Sequence, residues 1–215
     1  MDSLSLSWVD FAVVLLLGLG LWRGRKRGMS EELLDIIKWV LIVLVAGFLY
    51  EPGGQLLAQV TSVFSLRSCY VTVYMAIALF IVLLVSLMRK NIGSKLVGSD
   101  VFGAAEYYLG MVAGIFRYAC IILVGMAFLN ARYYSPEELR AGAKYQQDNF
   151  GSSFFVTLPD LQQEVFKRSY SGRFTQEYLN AVLIRPTAGD GKEIGGEDSI
   201  GHRREKSVYD ILDKR

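Results

Sequence analysis

One long apolar run of this sequence carries a single charge, and that charge limits how the chain can fold. Residues 109–129 form a 21-residue apolar segment, which is long enough to cross a lipid bilayer as a helix. The only formal charge in the segment is Arg117, close to its middle. A charged side chain at this depth is costly when it faces lipid, so we expect Arg117 to face other protein or water.

Three glycines share the helical face of this arginine. At about 100° per residue, Gly110, Gly114 and Gly125 fall with Arg117 on one strip about 80° wide. The spacing of Gly110 and Gly114 is one that permits two helices to approach closely. We therefore predict that the strip packs against another helix, in this chain or in a second copy.

Three carboxylates elsewhere in the chain are candidate partners for the buried cation. They are Asp10 inside the first apolar run, Glu32 before the second and Glu106 before the last. Asp10 is interpreted either as a carboxylate at the level of the lipid headgroups or as a partner of Arg117 or a proton-binding site. The predicted intramembrane functional set is Arg117 with these three carboxylates.

Composition agrees with a protein of several spans. Hydrophobic residues make up 52% of the chain, the mean hydropathy is +0.31, and the apolar residues come in long blocks. The predicted fold class is an all-α membrane protein with four transmembrane helices and a C-terminal tail of short amphipathic helices and disorder. The four apolar runs are residues 8–22, 33–50, 69–88 and 109–129.

The second run leaves two alternatives open. Only its last twelve residues are wholly apolar, so residues 33–50 either cross the membrane or form a re-entrant hairpin. Glu31, Asp35 and Lys38 share one face near its start, and we expect this face to contact water. The run is expected to end at Glu51-Pro52-Gly53-Gly54.

Basic residues predict the orientation of the chain. Arg23, Arg25, Lys26 and Arg27 follow the first run, and a second basic segment at 89–95 follows the third. Positive loops lie on the cytoplasmic side, which places both termini on the non-cytoplasmic side. The first cluster is also expected to attract anionic lipid, with a specific ligand site as the alternative. No cation precedes the first run, which argues against a removable signal peptide.

The C-terminal part of the chain, after the last apolar run, is predicted to contain short helices followed by disorder. The sequence Ser135-Pro136-Glu137-Glu138 predicts a helix start, and residues 160–170 and 175–184 predict two short amphipathic helices. The predicted organisation is a membrane domain at 7–130, an amphipathic tail at 131–185 and a disordered segment at 186–215.

The residues needed for common catalytic chemistry are missing from the sequence pattern. The single histidine, His202, lies in the segment expected to be disordered, and Cys69 and Cys120 are expected to be buried free thiols. We expect no catalytic residues, metal or cofactor. Residues 130–215 hold 13 basic and 13 acidic residues, a balance that argues against a nucleic-acid partner.

Several short motifs occur in order along the first 130 residues. They are Trp8-Val9-Asp10, then Arg27-Gly28 with Glu32 and Trp39, and Leu109-Gly110 with Gly114 and Arg117. Together these motifs resemble the colicin V production protein (CvpA) family of small bacterial inner-membrane proteins. The resemblance covers about residues 7–130. The chain departs from the family pattern at Glu106, where the family has Asp, and at Tyr118, where it has glycine. The loop Arg23-Gly24-Arg25-Lys26 is also longer and more basic.

The resemblance implies a multi-pass membrane protein linked to bacteriocin production or export and to envelope homeostasis. The leading hypothesis is a non-enzymatic bundle of helices with this role, which associates with itself or with a membrane partner. The alternative is a small transporter or channel with Arg117 in its path. A third hypothesis is an assembly factor whose tail, residues 135–184, binds another protein.

Overall fold

The computed structural model describes residues 7–61, 64–97, 103–150 and 157–188, and within these ranges the chain is almost entirely helical. The first five helices are α1 Trp8–Arg27, α2 Met29–Leu41, α3 Gly47–Val60, α4 Leu66–Val97 and α5 Glu106–Asn130. The later ones are α6 Pro136–Phe150, α7 Leu158–Gln163 and α8 Tyr170–Tyr178.

Helix α1 has a capped start and a glycine stop. The Ser7 hydroxyl accepts a hydrogen bond from the Val9 amide, and the Asp10 carboxylate accepts one from the Ser7 amide. This reciprocal arrangement satisfies amides that an isolated helix start leaves free. The chain leaves α1 at Gly28, whose φ of 77° favours glycine, and α2 follows at once.

The second apolar run is one continuous helix, Met29–Val60, in which a π-helical turn at Ile42–Ala46 joins α2 to α3. The prediction that it ends at Glu51-Pro52-Gly53-Gly54 is wrong, because Pro52 lies inside α3. Gly54 packs directly on the ring of Tyr70 in α4. Proline is tolerated inside a membrane helix where neighbouring helices hold the backbone. The helix Met29–Val60 also lacks the chain reversal that a re-entrant hairpin needs.

Three helices in the described part of the chain are long and apolar enough to cross a membrane. They are Met29–Val60, Leu66–Lys90 and Glu106–Asn130. Helix α1 is not among them, since Asp10 and the basic residues of its last turns shorten its apolar part. A crossing by α1, and with it the count of four spans, stays a prediction.

An aromatic cluster fills the space between α3, α4 and α5. Tyr50 contacts Tyr70 edge-on with ring centroids 5.5 Å apart, and Tyr74 contacts Phe128 at 5.1 Å. The Tyr50 hydroxyl donates to the Leu183 carbonyl, so the cluster also reaches the tail. Edge-to-face pairs of this kind add to the burial of the rings, and they fix where the tail meets the helices.

The tail differs from its prediction in extent. Helix α6 begins at Pro136, with a reciprocal Ser135–Glu138 cap. The helix predicted at 160–170 is α7 plus a π-helical turn, Glu164–Arg168, and the one predicted at 175–184 starts five residues earlier as α8.

A small strand pair also departs from the all-α prediction. Strand β1, Arg132–Tyr133, pairs in parallel with strand β2, Thr187–Ala188. Ala131 accepts from both the amide and the hydroxyl of Thr187, which holds the chain in place after α8. The predicted disorder therefore does not include residues 186–188, whereas residues 189–215 lie outside the described ranges.

Candidate functional site

Helices α1 and α5 meet at a seam of glycines. Gly20 and Gly24 of α1 face Gly114 and Gly110 of α5, with Gly28 beyond them. A Cβ atom built on any of the first four would lie within 3.0 Å of backbone atoms of the opposite helix. No side chain fits in that space, so the two backbones are in direct contact.

The seam uses part of the predicted strip. Gly110 and Gly114 lie in it, but Gly125 does not, because nothing lies within 4 Å of a Cβ built there. Within the described ranges, Gly125 therefore does not pack closely against another helix of this chain, and its packing against a second copy stays a prediction. Tyr118, the departure from the family pattern, is accommodated by Gly20, against which its ring packs.

Arg117 is buried, with 5% of its surface exposed, and it is paired. Its Nη1 donates to Glu32 Oε2 and, at 3.3 Å, to Asp35 Oδ2. Side chains of a helix point toward its N-terminus, and the guanidinium of Arg117 accordingly extends toward the end of α5 that lies beside Gly28. The pairing satisfies a cation that is costly to leave unpaired in a membrane.

Asp35 forms ion pairs with three further cations. Its carboxylate lies 2.8 Å from Lys38 Nζ, 3.5 Å from Arg27 Nη1 and 3.5 Å from Arg89 Nη1. The resulting charge cluster draws side chains from α1, α2, α4 and α5. Its members are Arg27, Glu32, Asp35, Lys38, Arg89 and Arg117.

The charge cluster is buried at its centre and exposed to solvent at its edge. Glu32 is fully buried, and within the described ranges its Oε1 has no hydrogen-bond partner, with Arg27 Nη1 at 3.7 Å. The hydroxyl of Ser30 is buried nearby in sequence and likewise has none there. Arg89, by contrast, has 46% of its side chain exposed. The cluster can hold four helices together, and no cluster of the described residues has the ligand set of a metal site.

Only one of the three predicted partners meets Arg117. Glu32 does, whereas Asp10 lies at the opposite end of α1 and Glu106 lies beside Gly28. The predicted contact of Asp10 with Arg117 is wrong because other donors occupy the Asp10 carboxylate. They are the amides of Ser7, Tyr170 and Ser171 and the hydroxyl of Ser171.

Asp10 therefore connects α1 to the N-terminal turn of α8. We expect Asp10→Asn to accelerate hydrogen exchange of the α8 amides about 30-fold, because hydrogen bonds to a charged acceptor contribute about 1.5–3 kcal/mol. Exchange measured by mass spectrometry on the detergent-solubilised protein checks this, with Asp148→Asn, an exposed residue of α6, as the control of equal charge. Equal protection of α8 in both variants would contradict the assigned contact.

Asp35 and the α1 half of the seam lie outside the predicted set of site residues. The face of Glu31, Asp35 and Lys38 was expected to be wet, but Asp35 is buried against cations from three other helices. Its spacing of three from Glu32 was the available signal, since such residues share a helical face. The repeat of glycine at every fourth residue, at 20, 24 and 28, was the signal for the seam.

The four cations of the first basic segment have different surroundings. Arg27 belongs to the charge cluster, whereas Arg23, Arg25 and Lys26 are exposed. Lys26 Nζ lies 3.9 Å from the centre of the Trp22 ring, a cation–π contact. Both cysteines are free and buried, as expected from their places in apolar runs.

Comparison with known proteins gives a family. Residues 9–155, from the start of α1 into the tail, match the sequence profile of the family described as Colicin V production protein. The chain matches no curated protein and no solved structure. The match covers the seam and the charge cluster together, along with all three apolar helices. This membrane-type chain therefore belongs to the Colicin V production protein family.

Proposed function

We propose that the protein is a non-enzymatic scaffold of the bacterial inner membrane that supports bacteriocin production or export, or envelope homeostasis. The observation that carries the proposal is the direct pairing of Arg117 with Glu32 and Asp35. A cation that is satisfied by protein carboxylates holds helices together, whereas a transport path needs its charges to be reached by the substrate. The family membership supplies the link to toxin production.

The proposed topology has four spans with both termini on the non-cytoplasmic side. Support comes from the basic residues at one end of α1 and from the tail at the other, where Ser7 Oγ donates to Glu164 and Asp10 binds α8. A reporter fused to either terminus is expected to be labelled from the periplasm in intact cells. A reporter inserted at Gly103 is expected to be labelled only after the inner membrane is opened, and the reverse pattern would contradict the topology.

The glycine seam bears on self-association. Gly110 and Gly114 are occupied within one chain by α1, so this part of the predicted strip is not free to bind a second copy. Self-association, or the binding of a membrane partner, would use another surface. The tail is the candidate for a protein partner, because it is held on the same end of the bundle by Asp10 and Tyr50.

One observation favours the alternative of a small transporter or channel. Within the described ranges, the buried Glu32 Oε1 and Ser30 hydroxyl lack hydrogen-bond partners, and polar groups of this kind inside a membrane protein often mark a path for protons or ions. Proton flux through this charge cluster would depend on the Glu32 carboxylate. The ion pairs of Asp35 would stay in place during such flux.

Flux and cell phenotype together separate the two functions. In vesicles that hold a pH gradient, the reconstituted protein is expected to give no proton flux above that of empty vesicles. In cells, loss of the gene is expected to reduce bacteriocin secretion or resistance to envelope stress, and the wild-type gene to restore it. Flux that Glu32→Gln abolishes would contradict the scaffold and support the transporter.

A further inference from the structure

A cavity of about 680 Å³ opens where the end of α1 meets the start of α5. Its wall is formed by Trp22, Arg25, Lys26, Tyr107, Tyr108 and Met111. We propose that this cavity binds the phosphate headgroup of an anionic phospholipid, independently of the scaffold function.

Charge is the first reason. Arg25 and Lys26 line the cavity, and no carboxylate does. Among the described residues neither cation has a carboxylate within ion-pair distance, although Arg27, one residue later, is engaged by Glu32 and Asp35. The local charge of the cavity is therefore positive and available to a phosphate.

The aromatic residues are the second reason. Trp22, Tyr107 and Tyr108 are 57%, 61% and 70% exposed, an arrangement typical of side chains at the level of lipid headgroups. The contact of Lys26 with the Trp22 ring limits the positions of its ammonium group, which leaves it above the cavity wall. A tryptophan and two tyrosines can also donate hydrogen bonds to ester and phosphate oxygens.

The shape of the site favours a lipid over a free ion. Met111 adds an apolar surface below the cations, and exposed Val112 and Phe116 continue along the same helix toward the membrane interior. Acyl chains would lie along this apolar surface while the phosphate stays with Arg25 and Lys26. A free phosphate would gain only the polar part of the site.

The test measures lipid retained by the full-length protein. Protein reconstituted in equal parts of phosphatidylglycerol and phosphatidylcholine is released into native mass spectrometry, and the ratio of the two retained lipids is recorded. Each cation at an anionic membrane surface contributes about fivefold, so R25Q/K26Q is expected to lower the preference for phosphatidylglycerol about 25-fold. The control R23Q/K90Q removes the same charge from exposed residues that do not line the cavity, and we expect less than about a threefold change because these side chains do not contact a phosphate held there.

Further variants make each outcome decisive. R25K/K26R keeps both charges and is expected to retain the preference, which separates a charge effect from a folding defect. Equal losses in R25Q/K26Q and R23Q/K90Q would show diffuse attraction only and overturn the proposal, as would no loss in either. Millimolar inorganic phosphate is expected to leave the lipid bound. Displacement of the lipid by that phosphate, or phosphate binding without a lipid preference, would assign the cavity to a free anion instead.

Discussion

Replacing Arg117 by methionine is expected to lower the free energy of unfolding by about 3–5 kcal/mol, because the fully buried Glu32 loses its hydrogen-bonded cation and keeps only Arg27, at 3.7 Å. Asp35 would lose one partner and keep the other three. Unfolding of the detergent-solubilised protein by increasing amounts of SDS, followed by circular dichroism, measures this loss. The same change should also make α2 and α5 more open to hydrogen exchange.

Arg89→Met is the matched control for this prediction. Arg89 contacts the same Asp35 carboxylate at 3.5 Å, but nearly half of its side chain is exposed. Exposed ion pairs contribute about 1 kcal/mol or less, so we expect a small effect. Equal losses in the two variants would mean that burial of Arg117 does not set the strength of the cluster.

Leucine at Gly24 or Gly114 is expected to destabilise the protein by about 3 kcal/mol, since overpacking a tight contact forces the backbone to move. A Cβ at either position would overlap the backbone oxygen of the facing glycine, before the rest of the leucine side chain is placed. We expect α1 to separate from α5 first. The measurement is the midpoint of SDS unfolding together with hydrogen exchange of α1.

Gly18→Leu provides the control on the same helix. Nothing lies within 4 Å of a Cβ built on Gly18, and leucine forms helices more readily than glycine. The control should therefore leave stability within about 1 kcal/mol of the wild type or raise it slightly. A loss in Gly18→Leu as large as in Gly24→Leu would show that the seam is not the site of the damage.

Periodicity predicted those parts of the site that lie on one helix. It placed Arg117 with Gly110 and Gly114 on the face of α5 that packs, because one helix turn determines which side chains share a face. It could not choose among Asp10, Glu32 and Glu106, since that choice depends on where α1 and α2 cross α5. Glu32 is the partner of Arg117 because of a tertiary contact: the glycine seam positions α1 against α5.

Predictions from short stretches of sequence were wrong where contacts between helices determine the structure. Pro52 and its glycines read as a helix end, yet close contact of Gly54 with Tyr70 keeps α3 intact beyond them. The π-helical turn at Ile42–Ala46 has no distinct composition, as it consists of apolar residues like those on either side. Asp35 looked exposed because its neighbours Glu31 and Lys38 suggested water, whereas cations from other helices surround it.

The seam and the charge cluster depend on each other. The seam brings α5 beside the C-terminal end of α1. At this end the side chain of Arg27 extends from α1 to Glu32 and Asp35. Arg117 then reaches the same carboxylates from α5. A variant that opens the seam is therefore expected to weaken the cluster as well, and the effects of Gly24→Leu and Arg117→Met should not be additive.

The most direct test of the central claim, that the buried charges serve the fold, is the double variant Glu32→Met/Arg117→Met. Replacing a buried ion pair by apolar side chains of similar size is often neutral, so stability should recover to within about 1–2 kcal/mol of the wild type. Cells that carry this variant in place of the wild-type gene are then predicted to secrete bacteriocin and to resist envelope stress as the wild type does. A double variant that is as stable as the wild type but fails to restore the cells would contradict the account, because the charges would then be needed for activity itself.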